Sequence, residues 1–262
     1  MSTVVVDALT MTRRNLITIR RVPQLLVFAT LQPVIFVLMF RYVFGGAIPI
    51  PGVPYVDYLM PGIFAQTVAF GAISTGIGLA EDLSKGLIER FRSLPMARSA
   101  VLVGRTTADV CRNVFVQTLM VTVGFAVGYR IHDGFVKFLL AMAIMLMFGF
   151  ALSWVFATIG LFTANAETTQ AAAFPIMAPL VFASSAFVPV AAMPSWLQSW
   201  ATHQPLSVLI STFRRLTLTD AQAASIGLTQ STLHYLLLSL GWIVGIVAVF
   251  APIAINKYRR AS

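Results

Sequence analysis

Six stretches of this chain, about residues 24–44, 57–80, 105–129, 136–162, 168–190 and 232–255, are each long and apolar enough to cross a lipid bilayer. A hydrocarbon core about 30 Å thick takes roughly 20 predominantly apolar residues in helical form. Charges or Gly and Pro breakers bound the stretches, such as Gly45-Gly46 after the first and Arg130 after the third. Composition agrees: 58% of residues are hydrophobic and 10% charged, against roughly 25% charged in a soluble domain. Irregular backbone is not tolerated against lipid, so each stretch reads as a helix. The sequence predicts an all-α integral membrane protein with six transmembrane helices.

The basic residues orient it. Thirteen of the 18 Lys and Arg residues fall on one side. They lie in an N-terminal arm (Arg13, Arg14, Arg20, Arg21), in and around the second connection (Lys85, Arg90, Arg92, Arg98, Arg105, Arg112), and at the C-terminus (Lys257, Arg259, Arg260). The other side keeps Arg41, Arg130, Lys137, Arg214 and Arg215. The positive-inside bias then puts both termini in the cytoplasm, as an even number of spans requires. The expected place is the cell (plasma or inner) membrane, multi-pass. The net charge of +9 is therefore topology, and nucleic acid is excluded as a partner.

Residues 1–262 read as one transmembrane domain, with 1–22 an arm, 23–255 the six spans and 256–262 a basic cytoplasmic tail. The arm interleaves Val4, Val5, Val6, Leu9, Leu16, Ile17 and Ile19 with Asp7, Arg13, Arg14, Asn15, Arg20 and Arg21. That pattern suits an amphipathic helix lying in the membrane interface, and Pro23 separates it from the first span. No secretory signal pattern is expected at its start.

The longest segments outside the spans are about 81–104 and 191–231. In the first, Leu87, Phe91 and Leu94 share a helical face, Glu89, Arg90 and Arg92 project elsewhere, and Pro95 ends the pattern. Residue types leave two readings open: a helix that docks in a groove of a soluble partner, or a solvated loop whose arginines enforce topology.

The run Gly86-Leu87-Ile88-Glu89-Arg90-Phe91-Arg92-Ser93-Leu94-Pro95 resembles the G-x-x-E-R-x-R-S-x-P segment of ABC-2 type permeases. A second match, Phe187-Val188-Pro189, Met193-Pro194-Ser195-Trp196-Leu197-Gln198, Gln204-Pro205-Leu206-Ser207 and Arg214, is similar to that family's stretch between spans five and six, with Gln204 where Asn is commoner. The resemblance runs over essentially the whole chain and is nearest to the daunorubicin-resistance type of efflux permease. It includes Arg41-Tyr42-Val43-Phe44-Gly45-Gly46 and Leu152-Ser153-Trp154.

The resemblance implies the type V exporter fold, an ATP-binding subunit dimer as partner, and a second permease copy or paralogous permease. Gly86, Leu87, Glu89, Arg90, Phe91, Arg92 and Pro95 would then form the ATPase-coupling helix. Pro189, Pro194, Trp196, Pro205 and Arg214 would sit in re-entrant helices at the extracellular gate. Spans two and five would line the path, with Gln66, Phe70, Phe174, Met177 and Phe182 as its candidate residues. ATP and Mg would bind the partner subunit, and this chain would hold no cofactor.

Read on residues alone, 187–216 is also unusual. Pro189, Pro194 and Pro205 break it too often for a span, while Trp196 and Trp200 make it too apolar for a free loop. Such a segment is expected to re-enter partway and pack against other spans. In span two, Gly62, Gly71, Gly76 and Gly78 permit close approach, and Gln66 is expected to bond across an interface. In span five, Pro175 and Pro179 interrupt the hydrogen-bond ladder. Asp109 and Arg112, at i and i+3, are expected to pair near the cytoplasmic end of span three.

No G-x-x-x-x-G-K-[ST] phosphate loop occurs. His132, His203 and His234 are scattered, and the lone Cys111 allows neither an internal disulfide nor a cysteine-rich metal site. The chain reads as a non-catalytic permease subunit of an ATP-driven exporter of hydrophobic or amphipathic molecules, drugs or lipids. The alternatives are an ABC-2 permease for polysaccharide or glycolipid and, in another class, a proton-coupled secondary transporter. The latter would want a carboxylate or His at mid-membrane, and none is evident. Substrate identity and the choice between homodimer and heterodimer stay open.

Overall fold

The computed structural model describes residues 10, 12, 24–85 and 98–260. The predicted coupling helix and most of the amphipathic arm lie outside these residues. Helix α1 (Gln24–Leu38) runs into a π-helical turn, Met39–Phe44. The long helices α2 (Tyr55–Ser84), α3 (Arg98–Ala126) and α4 (Phe135–Thr163) follow. Then come α5 (Ala166–Phe182) and a 3₁₀ turn, Val190–Ala192. Three short helices, α6 (Ser195–His203), α7 (Pro205–Thr217) and α8 (Asp220–Ser225), precede the long α9 (Thr232–Arg260). No strand occurs among the described residues.

Among the described residues, three helices are long and apolar enough to cross a membrane: Tyr55–Ser84, Phe135–Thr163 and Thr232–Tyr258. Of the other expected spans, Ala29–Phe44 is apolar but shorter, and α3 carries Arg98, Arg105, Asp109 and Arg112 in its first half. The fifth differs most from expectation. It was expected to reach residue 190, but α5 stops at Phe182 after 17 residues, about 26 Å at 1.5 Å per residue. Ser184 explains the stop. Its hydroxyl donates to the Val181 carbonyl and accepts from the Ala186 N–H, giving the backbone a local alternative to the helix.

Local chemistry sets the other boundaries. Asn165 accepts from the N–H groups of Glu167 and Thr168 to start α5. Pro205 opens α7, where its missing N–H costs nothing. Thr219 and Gln222 form a reciprocal capping box on α8.

The helices are graded by depth. The apolar window of α2 is 72% buried, that of α4 44% and that of α9 11%. Thus α2 is the axis of the subunit, α4 its close partner, and α9 a peripheral helix. At the α2–α4 crossing the backbones touch: a Cβ on Gly160 would overlap the Gly76 carbonyl, and one on Gly76 would overlap the Phe156 carbonyl. Without a hydrophobic drive between helices in lipid, such small-residue contacts carry much of the packing. Thr158 then ties α4 to α9 through the Phe250 carbonyl. Gly160→Val should lower stability by about 1–3 kcal/mol through overpacking. A thermal melt in detergent showing an unchanged midpoint would contradict the backbone contact.

Candidate functional site

Residues 183–189 leave the helical path while still largely buried, so their carbonyls need donors from elsewhere. Side chains supply them. Gln204 Nε2 donates to the Leu180 and Ala183 carbonyls, at 2.9 and 3.3 Å. Tyr55 Oη donates to Phe187 O and Tyr58 Oη to Ser185 O, each at 3.2 Å. The Ser185 N–H in turn donates to Ser207 Oγ at 3.0 Å. Gln204 is long enough to reach the end of α5 and makes no side-chain cap on α7, which is the use this chain has for Gln at the position where Asn is commoner.

Arg214 closes the arrangement. It projects from α7, is 2% exposed, and forms no ion pair with any described residue. Nε and Nη2 donate to Tyr58 O at 3.1 and 2.7 Å, and Nη2 also to Ser185 O at 2.8 Å. The guanidinium lies 3.5 Å from the centre of the Tyr58 ring, a cation–π contact. One side chain therefore pins α2, the 183–189 segment and α7 together. Gly62 makes room for it, since a Cβ there would overlap the Ala186 backbone.

Phe187 anchors the segment on its other flank. It stacks on Phe40 with centroids 4.4 Å apart and lies 6.1 and 5.9 Å from Phe36 and Phe182. At the same end of α2, Asp57 is 1% exposed. It accepts from the Arg130 N–H at 2.9 Å and lies 2.8 Å from His132 Nε2, while the His132 N–H donates to Thr217 O at 3.0 Å. This pair joins α2, the α3–α4 connection and the end of α7. Spacing could not reveal it, because 75 residues separate its members.

Toward the other end of α2 a cavity of about 610 Å³ opens between α1, α2, α3 and α5. Its lining mixes apolar and aromatic side chains (Phe70, Ile77, Val116, Phe174) with polar ones (Gln66, Ser74, Asp109, Arg112, Asn113). Asp109 and Arg112 pair as expected, but loosely, at 3.6 Å. Asp109 also accepts from the hydroxyls of Thr75 and Ser74, and Arg112 Nη2 donates to the Gly71 carbonyl. Arg105 meets Asp82 at 2.7 Å.

The expected path residues divide. Gln66, Phe70 and Phe174 line the cavity. Met177 is 1% exposed and sits in the hydrophobic core, and Phe182 lies against Phe187 rather than on the cavity wall. Gln66 does not bond across an interface as expected: its Oε1 is buried without a partner. Gln117 makes that bond instead, donating to Phe64 O at 2.8 Å.

Among the expected gate residues, Pro189 and Pro194 cap the 3₁₀ turn and α6, and Pro205 starts α7. Trp196 is 77% exposed on α6, so it seals nothing within one subunit. The seven coupling-helix residues from Gly86 to Pro95 lie outside the described residues. The α3 wall of the cavity was missed as a site, because isolated polar residues in a span become a surface only once neighbouring helices are in place.

The ABC-2 type transporter family model matches residues 7–218. The chain belongs to that family. Among its relatives is a daunorubicin resistance ABC transporter permease of Streptomyces coeruleorubidus, 34% identical over 100% of this chain and 89% of that protein. A Mycobacterium tuberculosis protein named "probable doxorubicin resistance ABC transporter permease" is 28% identical, covering 89% of this chain and 81% of its own length. A doxorubicin resistance ABC transporter permease of the same species is 26% identical over 74% of this chain and 66% of that protein. A multi-pass ABC-2 permease thus carries both the carbonyl-bound arginine and the mixed-wall cavity.

Replacing Arg214 with Met should destabilise the fold by roughly 2–4 kcal/mol, because buried carbonyls lose charged donors. Arg214→Lys should lose less, since an ammonium restores one donor but not the forked geometry. Melting of the detergent-solubilised protein in the order wild type, Lys, Met is the expected result; coincident melts would contradict the latch.

Proposed function

We propose that this chain is the membrane-spanning half of an ATP-driven exporter that moves amphipathic, drug-like or lipid-like molecules out of the cell. The observation that carries the reading is the cavity, whose lining combines hydrogen-bonding and aromatic groups. The names of the drug-resistance relatives support the same class of substrate. In this reading all six apolar stretches span the membrane, both termini are cytoplasmic, and 195–217 re-enters at the outer end. The long helices α2, α4 and α9 and the basic residues of the arm, the second connection and the tail support that topology.

The chain makes no catalytic step of its own. ATP and Mg are held by a separate ATP-binding subunit dimer docked on Gly86–Pro95, whose Glu89, Arg90 and Arg92 offer the charged contacts. A second permease, identical or paralogous, faces α5, whose exposed side chains include Ile176 and Phe182. The re-entrant pair and its latch act as the outer gate, so the cavity loads from the inner side and empties past Pro189–Arg214.

Co-expression with the cognate ATP-binding subunit tests the reading. The wild-type pair should purify as a complex with ATPase activity. Glu89→Ala combined with Arg92→Ala should abolish assembly or reduce hydrolysis at least tenfold. A complex indifferent to that double change would overturn the docking assignment. Trp196→Ala should alter efflux while leaving the complex intact; loss of assembly instead would remove α6 from the gate.

A further inference from the structure

The proposed function needs a route from the ATP-binding subunit to the cavity, and polar bonds between α2 and α3 supply one. These two helices flank residues 86–97, the connection that holds Gly86–Pro95. Just before that connection, Asp82 of α2 meets Arg105 of α3 at 2.7 Å. Further in, Asp109 accepts from the hydroxyls of Thr75 and Ser74. Arg112 then donates to the Gly71 carbonyl, and Gln117 to the Phe64 carbonyl at 2.8 Å. As the α2 member falls from 82 to 64, the α3 member climbs from 105 to 117. The bonds therefore form one antiparallel ladder, about 27 Å long at 1.5 Å per residue.

The ladder differs in kind from the other tie on α2. Toward α4 the contact is between backbones at Gly76 and Gly160, and it holds by shape. Toward α3 it includes matched charges, Asp82 with Arg105 and Asp109 with Arg112 at 3.6 Å. Away from water, separating such a pair leaves each charge uncompensated. Slip of α3 along α2 would break all the rungs together. Gly78 makes the first rung possible, since a Cβ there would fall on the Arg105 guanidinium.

We infer that the ladder makes α2 and α3 one rod, which carries displacement of residues 86–97 into the cavity lining. Asp82 and Arg105 are the positioning residues that fasten the connection to the rod. The inference rests on the exporter reading above and adds the mechanical link between its two subunits. Ser74, Asp109 and Arg112 belong both to the ladder and to the cavity lining, so motion along the rod reaches the cavity without crossing a loose interface. The Arg105 and Asp82 side chains are 20% and 13% exposed, so either can turn toward water when its partner is lost. Breaking this rung should therefore loosen the rod and spare the fold.

The test uses the full chain with its ATP-binding subunit, in proteoliposomes, with fluorescent doxorubicin as the transported probe. Asp82→Asn and Arg105→Gln should each keep the complex assembled and basal ATPase near the wild-type rate. Both should lower doxorubicin efflux per ATP hydrolysed by about fivefold or more, the lower end of ordinary coupling strengths. Asp82→Glu keeps the charge and should restore the wild-type ratio, which a loss of packing would not allow; melting midpoints check the fold. A second measurement needs neither these variants nor a drug. Spin labels on Cys111, exposed on α3, and on Ser84→Cys at the end of α2 report the distance between the two helices. It should change by less than about 2 Å between nucleotide-free and vanadate-trapped complex, well short of a one-turn slip of about 5 Å.

An unchanged efflux ratio in folded Asp82→Asn complex would overturn the role of that rung, and a one-turn slip would overturn the rod. Both outcomes leave the exporter reading untouched. Where a variant fails to fold, or doxorubicin is not carried, the distance decides. A wild-type chain that recruits no ATPase would overturn the exporter reading and the inference with it.

Discussion

A backbone that leaves the helix inside a membrane protein must find hydrogen-bond donors, and residues 183–189 find them in side chains. Leu180, Ala183, Ser185 and Phe187 present carbonyls to Gln204, Arg214, Tyr58 and Tyr55. Two helices distant in sequence, α2 and α7 with its N-cap Gln204, thereby fix one short segment. Because lipid offers no replacement donors, the segment is held in place as long as the side chains are. The end of α5, the start of α7 and the outer end of α2 all take their positions from this one requirement.

Arg214 has an unusual part in it. A buried charge is generally paired with an opposite one, yet this guanidinium is met by two carbonyl oxygens and the face of an aromatic ring. Nε and Nη2 are thus bonded without an acid. The carbonyls belong to the backbone, so separating them from Arg214 requires moving a helix. The contact therefore senses displacement of α2 relative to α7 and the 183–189 turn.

How much was legible in the sequence depended on the kind of signal. Long apolar runs showed α2, α4 and α9, because composition alone settles what a bilayer accepts. Arg214 came only through the resemblance of 187–216 to a known segment, whereas Pro189, Pro194 and Pro205 also marked that segment by residue type alone. The end of α5 was misjudged by eight residues because Ala, Phe, Val and Ser suit an apolar helix; only the Ser184 hydroxyl, bonded to Val181 and Ala186, turns the chain away. Gln66 and Gln117 look equivalent in sequence, and which one crosses an interface is decided by the rotation of α3 against α2. Asp57 and His132 gave no spacing to read.

The backbone contact between Gly76 and Gly160 bears on how such a subunit can change shape. Two helices touching main chain to main chain cannot slide without separating, so α2 and α4 form a single plate, to which Thr158 adds α9. The open seams lie elsewhere. They run along α1 and α5, the two helices that meet that plate across an open cavity, and α5 is weakened by prolines that remove donors from the Ala171 and Pro175 carbonyls. The molecule is thus a rigid board of α2, α4 and α9, with α1 and α5 set against it along the cavity.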